Sequence, residues 1–323
     1  MRTTASSEKL ATKSGQEVNA SGSVSLEIEL KCPRCGGAVQ HQTCSDCAFH
    51  IRTVQGIVHA LPPERVAYYA RFVEEYERIC REQSSPPRSD KYYLDLPYRS
   101  SGSSADWASR GRSFDCLLWR VLKPALPRNA RILDIGAGNC WLSYRLALAG
   151  YNPCAVDLLM NDQHGLKAAE HYQNYLPEFF PRIRADMGQL PFRDGQFHAA
   201  IFNASIQYAD DVDLALQEAL RCCMGSGLVI ISDTPIHPSA KNTRRSTTGP
   251  PAPFLTDESI NKLGLRLKIC WTVHSAQFGS KWTLRRMYAM LRNRPEPPEF
   301  PIYAARKVPQ GTGSGICKGM TIR

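Results

Sequence analysis

The chain has 323 residues, 43% of them apolar, a formal net charge of +10 and twelve cysteines. That length buries a full α/β core with room for one added module. No apolar run approaches a bilayer span (residues 228–231 are only strand-sized) and the N-terminus lacks a signal-peptide core, so neither a membrane span nor a secretion signal is expected and the cytoplasm is the expected place. Twelve cysteines in such a setting point to reduced thiols and metal binding rather than a disulfide framework. Residues 1–24 are rich in Ser, Thr and Ala without periodicity and read as a disordered tail.

Residues 25–62 carry the first chemistry. Cys32-Pro33-Arg34-Cys35-Gly36-Gly37 is followed by Cys44-Ser45-Asp46-Cys47, with eight residues between Cys35 and Cys44. Each C-x-x-C knuckle aims two thiolates at one point, and two knuckles complete a tetrahedral four-cysteine site of the structural zinc type. The alternating residues 48–58 read as a short ribbon strand. Residues 30–62 resemble the zinc ribbon of small tRNA-methyltransferase activator proteins, a module also fused to some bacterial rRNA methyltransferases. A site closed by four thiolates implies Zn2+ that stabilises this module without entering the chemistry, so cofactor binding elsewhere is expected to persist without it.

Residues 63–129 read as a helical linker and lid. The spacing of Val66, Tyr69, Phe72, Val73, Tyr76 and Ile79 predicts a helix over 64–83, ended by Pro86 and Pro87. The aromatic, Pro-broken stretch 92–98 reads as a lid or strap, and 107–122 as a second helix with Arg110 and Arg112 near its start.

Residues 131–139, Arg-Ile-Leu-Asp-Ile-Gly-Ala-Gly-Asn, organise the rest. An apolar strand meets two glycines and then a helical pattern from Trp141 that closes at Gly150: strand, tight turn, helix. The dinucleotide fingerprint fails because Trp141 stands at its third glycine. Asp134, Gly136 and Gly138 instead form Asp-x-Gly-x-Gly, which resembles the first motif of class I S-adenosylmethionine (SAM) methyltransferases. The next strand ends in Asp157, 19 residues past Gly138, where a carboxylate can accept both hydroxyls of a ribose. After a helix at 165–175 and a short strand at 182–186, Asp186-Met187 precedes Leu190-Pro191-Phe192, and residues 215–227 follow strand 198–203. This register is similar to the methyltransferase type 11 group, with His198 and Gly225-Ser226-Gly227 as departures. The resemblance implies a Rossmann-like α/β fold, a seven-stranded sheet with helices on both faces preceded by the ribbon, over 130–307. It implies SAM held by Asp134, Gly136, Gly138, Asp157, Asp186, Met187 and Asn203. Asp157 would take the ribose and Asp186 the adenine amino group, and Arg110 or Arg112 could grip the methionine carboxylate.

A helix at 257–263 ended by Gly264, a strand at 266–273, a helix at 282–292 and a strand at 302–307 complete the pattern, and 308–323 read as a disordered tail. The acceptor is expected beyond the carboxyl ends of strands 198–203 and 228–233, at residues 203–208 and 233–237. His237 is the weak candidate for a base there, against an ordinary loop histidine, while His198 begins its strand at the wrong end and reads as packed. Residues 203–206 lack the Pro-Pro-aromatic turn of amino-group nucleic-acid methyltransferases, and no Pro-Cys follows that strand. A small-molecule acceptor under the 92–98 lid therefore leads. RNA base methylation through the ribbon is the alternative, and an idle SAM-fold binding or activator protein the third reading. Residues 131–235 sum to −5 and 236–323 to +11, so the basic part is expected to flank an anionic substrate. Oligomeric state is not legible.

Overall fold

A computed structural model of the protein describes residues 28–83, 88–98, 105–237, 255–275 and 300–307. The predicted helix at 282–292, most of the loop after Pro235 and both tails lie outside the described residues.

The ribbon opens with two short strands, β1 (Val39–Gln40) and β2 (Thr43–Cys44), paired antiparallel beside the cysteine knuckles. Residues 48–58, read as one strand, instead turn back as a hairpin of β3 (Arg52–Val54) and β4 (Ile57–His59). Gln55 and Gly56 both take positive φ, the left-handed pair that a two-residue hairpin turn requires. Helix α1 (Pro63–Gln83) follows at once, with Pro63 at its first position, where a missing N–H costs nothing. Then come the short α2 (Asp90–Leu94) and α3 (Ala105–Cys116). The latter runs on through a π-helical segment, Leu117–Leu122, into the last turn α4 (Lys123–Ala125).

The α/β unit proper is β5 (Arg131–Ile135), α5 (Trp141–Leu148), β6 (Asn152–Asp157), a 3-10 helix (Leu166–Tyr175), β7 (Arg182–Arg184), β8 (Phe197–Asn203), α6 (Val212–Cys222) and β9 (Cys223–Ser232). It closes with α7 (Asp257–Leu267), β10 (Trp271–His274) and β11 (Ile302–Arg306). Gly264 does not stop α7. The helix runs on to Leu267 and ends at Lys268 in the left-handed region, so the strand predicted from 266 starts only at Trp271. Gly264 is instead a packing position, because a Cβ there would lie 2.8 Å from the Trp271 indole nitrogen.

Among the described residues the sheet has nine strands where seven are expected, in the order β10-β11-β9-β8-β5-β6-β7-β4-β3. The first seven are the expected set. The ribbon hairpin adds the last two, because β4 pairs parallel with β7, setting Ile57, Val58 and His59 against Arg182, Ile183 and Arg184. The ribbon is fastened a second time where Lys31 N–H donates to Pro191 O and Arg193 N–H to Glu29 O, each at 3.0 Å. Two cores fill the faces. Leu133, Ile135, Phe202 and Ile231 pack with α6, α7 and the ribbon's Phe49 and Ile51. Ile132, Ile201 and Ile230 pack with Leu117, Trp141 and Tyr172 on the other side. Strand order reverses between β5 and β8, and the crevice outside the carboxyl ends of those strands is where such sheets bind ligands.

Candidate functional site

At that crevice the turn after β5 is held from both sides. Gly136 and Ala137 N–H both donate to Val156 O on β6, and Ser205 Oγ donates to Ile135 O at 2.5 Å. Gly136 has φ +73°, and a Cβ there would sit 2.4 Å from the Ser205 Cβ, so glycine is required for backbone approach as well as for conformation. Asp134 points to the other face, buried, and accepts from Ser143 Oγ of α5 at 2.7 Å; burial pushes its carboxyl up to about 7. It braces strand against helix and does not line the crevice.

Asp157 ends β6. One carboxylate oxygen accepts from Gly138 N–H and the other from Leu159 N–H, both at 2.7 Å. Burial pushes its pKa up, and those backbone donors pull it back. Two acceptor positions are left on the carboxylate for further donors. Gly136, Gly138, Val156, Asp157, Leu158, Leu159, Ala185, Met187, Ala204, Ser205 and Tyr208 surround one cleft, roofed by Phe72 and Tyr76 of α1. Its apolar walls suit a planar base, and its one carboxylate suits a vicinal diol. These residues fit the nucleoside half of SAM.

Other predicted residues lie elsewhere. Asp186 turns away from the cleft: Arg65 of α1 binds it through Nε at 3.0 Å and Nη2 at 2.6 Å, and Gly188 N–H takes its other oxygen. Met187, its neighbour, does line the cleft. Arg110 stands near the ends of β8 and β9, its Nε 3.4 Å from the buried Asp233 carboxylate and its guanidinium over the Trp107 ring. Arg112 is exposed on the opposite side of the helix. Asn203 ends β8 and is half-buried. His237 is tied to Leu255 through its backbone N–H, and burial lowers its pKa, which keeps the ring neutral. His198 accepts from Arg131 N–H at 3.0 Å at the start of its strand, which explains its place there as packing. The 92–98 strap is not the roof. Tyr93 is buried and stacked on His171 at 4.1 Å, and Arg145 donates to the Leu94 and Leu96 carbonyls, so the strap is fixed against α5.

The four ribbon cysteines converge. Their sulfurs all lie within 4.8 Å of one another, with Cys32–Cys47 at 3.5 Å and Cys35–Cys44 at 3.4 Å. Tetrahedral zinc with Zn–S bonds of about 2.3 Å needs sulfurs about 3.8 Å apart, so the four can hold such an ion. Backbone N–H groups of Cys47 and Asp46 favour the Cys44 thiolate, lowering its pKa to about 7. Gly37 lies close beside it: a Cβ there would fall 2.2 Å from an Asp46 carboxylate oxygen and 3.1 Å from the Cys44 sulfur, so the exposed Asp46 side chain would have to turn aside.

Arg65, Phe72 and Tyr76 were not legible as site residues, whereas Tyr208 and Asp233 fall in the stretches 203–208 and 233–237 where the acceptor is expected. Tyr76 and Phe72 look like ordinary helix-core positions in sequence, and nothing local pairs Arg65 with a carboxylate 121 residues away.

Among known proteins, a family described as "Methyltransferase domain" matches residues 133–231. The malonyl-[acyl-carrier protein] O-methyltransferase of Geobacter sulfurreducens is 35% identical over 101 residues, which are 31% of this chain and 36% of that protein. The enzyme of the same name from Enterobacter lignolyticus is 30% identical over 121 residues, 36% of this chain and 43% of its own. The chain thus spans only about two fifths of the length of these curated relatives. A solved complex of the Haloferax volcanii Trm112 methyltransferase activator with a methyltransferase has a TM-score of 0.50 at 10% identity. The match covers 73% of this chain and 97% of that one, and it shares the fold alone. Among the described residues no helix is long and apolar enough to cross a membrane. With the strand order, the glycine turn and the family match in agreement, residues 133–231 belong to a methyltransferase domain of the class I, SAM-dependent kind.

Proposed function

We propose that the chain is a SAM-dependent methyltransferase whose acceptor is a small molecule, and that the methylated atom is a carboxylate oxygen. The observation that carries this is the Arg110–Asp233 pair at the ends of β8 and β9. Asp233 engages the guanidinium at Nε, which leaves the Nη edge for an incoming carboxylate in the bidentate geometry arginine favours. The names of the relatives, which are O-methyltransferases of a malonyl group, support a carboxylate acceptor.

When bound, SAM supplies an electrophilic methyl on a sulfonium, transferred by in-line displacement as the carbon–sulfur bond breaks and a neutral thioether leaves. Asp157 accepts the ribose hydroxyls, and the walls from Val156 to Leu159 and at Met187 enclose the base. Arg110 orients the acceptor, and the α1 roof excludes water, so positioning is the main contribution. A carboxylate is ionised at neutral pH, so no general base is needed and His237 has no proton to take. Asp186 supports the site at one remove by anchoring α1. The cysteine cluster holds zinc as a structural ion.

The test is transfer of labelled methyl from SAM to a panel of small carboxylic acids and their carrier-bound thioesters, followed by mild alkali. A methyl ester releases its label as methanol. Base-stable label, or label found in RNA, would contradict the carboxylate reading.

A further inference from the structure

The geometry points to three positioning residues for the cofactor: we infer that Phe72, Tyr76 and Tyr208 form an aromatic clasp around the sulfonium of bound SAM. This rests on the reading of the cleft as a SAM site and deepens it. The three rings touch one another, Phe72–Tyr76 at 5.9 Å, Tyr76–Tyr208 at 5.6 Å edge-on and Phe72–Tyr208 at 6.3 Å between centroids. All three line the same cleft as Gly136, Gly138 and Asp157.

Sheet order decides which part of the cofactor they meet. The ribose acceptor Asp157 ends β6, and the base-side walls Ala185 and Met187 follow β7. The amino-acid arm must therefore run the opposite way, across β5 towards β8, and Tyr208 stands just beyond β8. Tyr76 lies within electrostatic reach of both Asp157 and Arg110, and Tyr208 within reach of Arg110, so the rings stand between the ribose side and β8. The sulfonium is the group between ribose and amino acid.

The chemistry suits it. Burial pushes both phenols above their ordinary pKa, so they stay neutral and offer electron-rich rings. Such rings attract a cation within about 6 Å of the ring centre. The clasp is also held in place: Arg65 ties α1 to Asp186, and Tyr69 donates to Asp210 at 2.8 Å one turn before Phe72.

Because the attraction acts on charge, it distinguishes SAM from the neutral product S-adenosylhomocysteine, which has the same nucleoside and amino acid. Calorimetric titration of both ligands into the full chain tests this. Tyr76→Leu and Tyr208→Leu should weaken SAM by about tenfold, the range of a desolvated cation–π contact, and the product by less than about twofold. Tyr76→Phe should keep the wild-type ratio, and Asp157→Ala should weaken both ligands alike. Equal losses for SAM and product in both leucine variants would overturn the clasp. Thermal melts confirm folding, and having two positions leaves a reading if one variant does not fold. If the wild-type chain binds neither ligand, the reading of the cleft itself fails instead.

Discussion

Burial acts differently on the two carboxylates nearest the glycine turn. Asp157 is met by the backbone N–H groups of Gly138 and Leu159 and still has acceptor capacity for a ligand, whereas Asp134 is met by Ser143, through its hydroxyl and its backbone. Removing Asp157 takes away a charged acceptor, so Asp157→Ala should weaken SAM by about tenfold or more, equivalent to roughly 1.5–3 kcal/mol. Equilibrium dialysis with labelled SAM checks this, and an unchanged affinity would reject the ribose assignment. Asp134 makes a different prediction. Its folded pKa is raised to about 7 by burial, while the unfolded carboxyl loses its proton near 4. Between those values the folded state binds more protons than the unfolded, so stability falls as pH rises from about 4 to about 7 and then levels. Asp134→Asn should flatten that fall in thermal melts from pH 4 to 8. Asp157, shifted upward too, leaves a residual slope. Parallel melting curves for the two proteins would contradict the assignment.

Among the elements, α1 links the ribbon to the cleft. Arg34, between the first two cysteines, binds Glu64 at the start of α1 through two hydrogen bonds of 2.7 and 2.6 Å. One residue on, Arg65 grips Asp186, and two and three turns later Phe72 and Tyr76 roof the cleft. These contacts lead us to predict that cofactor binding depends on the ribbon, where the sequence alone leads to an expectation of independence. The protein should contain one zinc per chain by elemental analysis. Cys32→Ser should lower both its melting temperature and its SAM affinity, and Arg65→Ala should weaken SAM several-fold while zinc is retained. Zinc loss with unchanged SAM affinity would show that the ribbon merely sits beside the sheet. The central strands, the glycine turn and the knuckles were legible because each is written locally, as short apolar runs, positive-φ glycines or fixed cysteine spacing. The β4–β7 pairing and the Arg65–Asp186 bond were not, because both join segments more than 100 residues apart with nothing in either segment to name its partner. The late strand was misplaced for a related reason. Gly264 looks like a helix stop, and only Trp271 packed against it shows otherwise.

For the molecule as a whole, the charge asymmetry bears on the partner. Most of the basic residues after 236 lie outside the described residues, and those within them are Lys262, Arg266, Lys268, Arg306 and Lys307. Lys262 and Arg266 are engaged by Glu258 and Asp213. On the ribbon, Arg34 is engaged by Glu64, which leaves few cations there for phosphate. RNA held by several phosphate contacts would lose about 0.7 log units of affinity per contact per decade of salt. Filter binding with ribosomal and transfer RNA should show only weak association; tight, steeply salt-dependent binding would move the acceptor to RNA. The central claim is a SAM site at the switch point of the sheet, and titration calorimetry of SAM into the zinc-loaded full chain tests it most directly. One SAM per chain, with binding weakened about tenfold or more in Asp157→Ala, is the predicted result, and no saturable binding to the wild-type chain would contradict it.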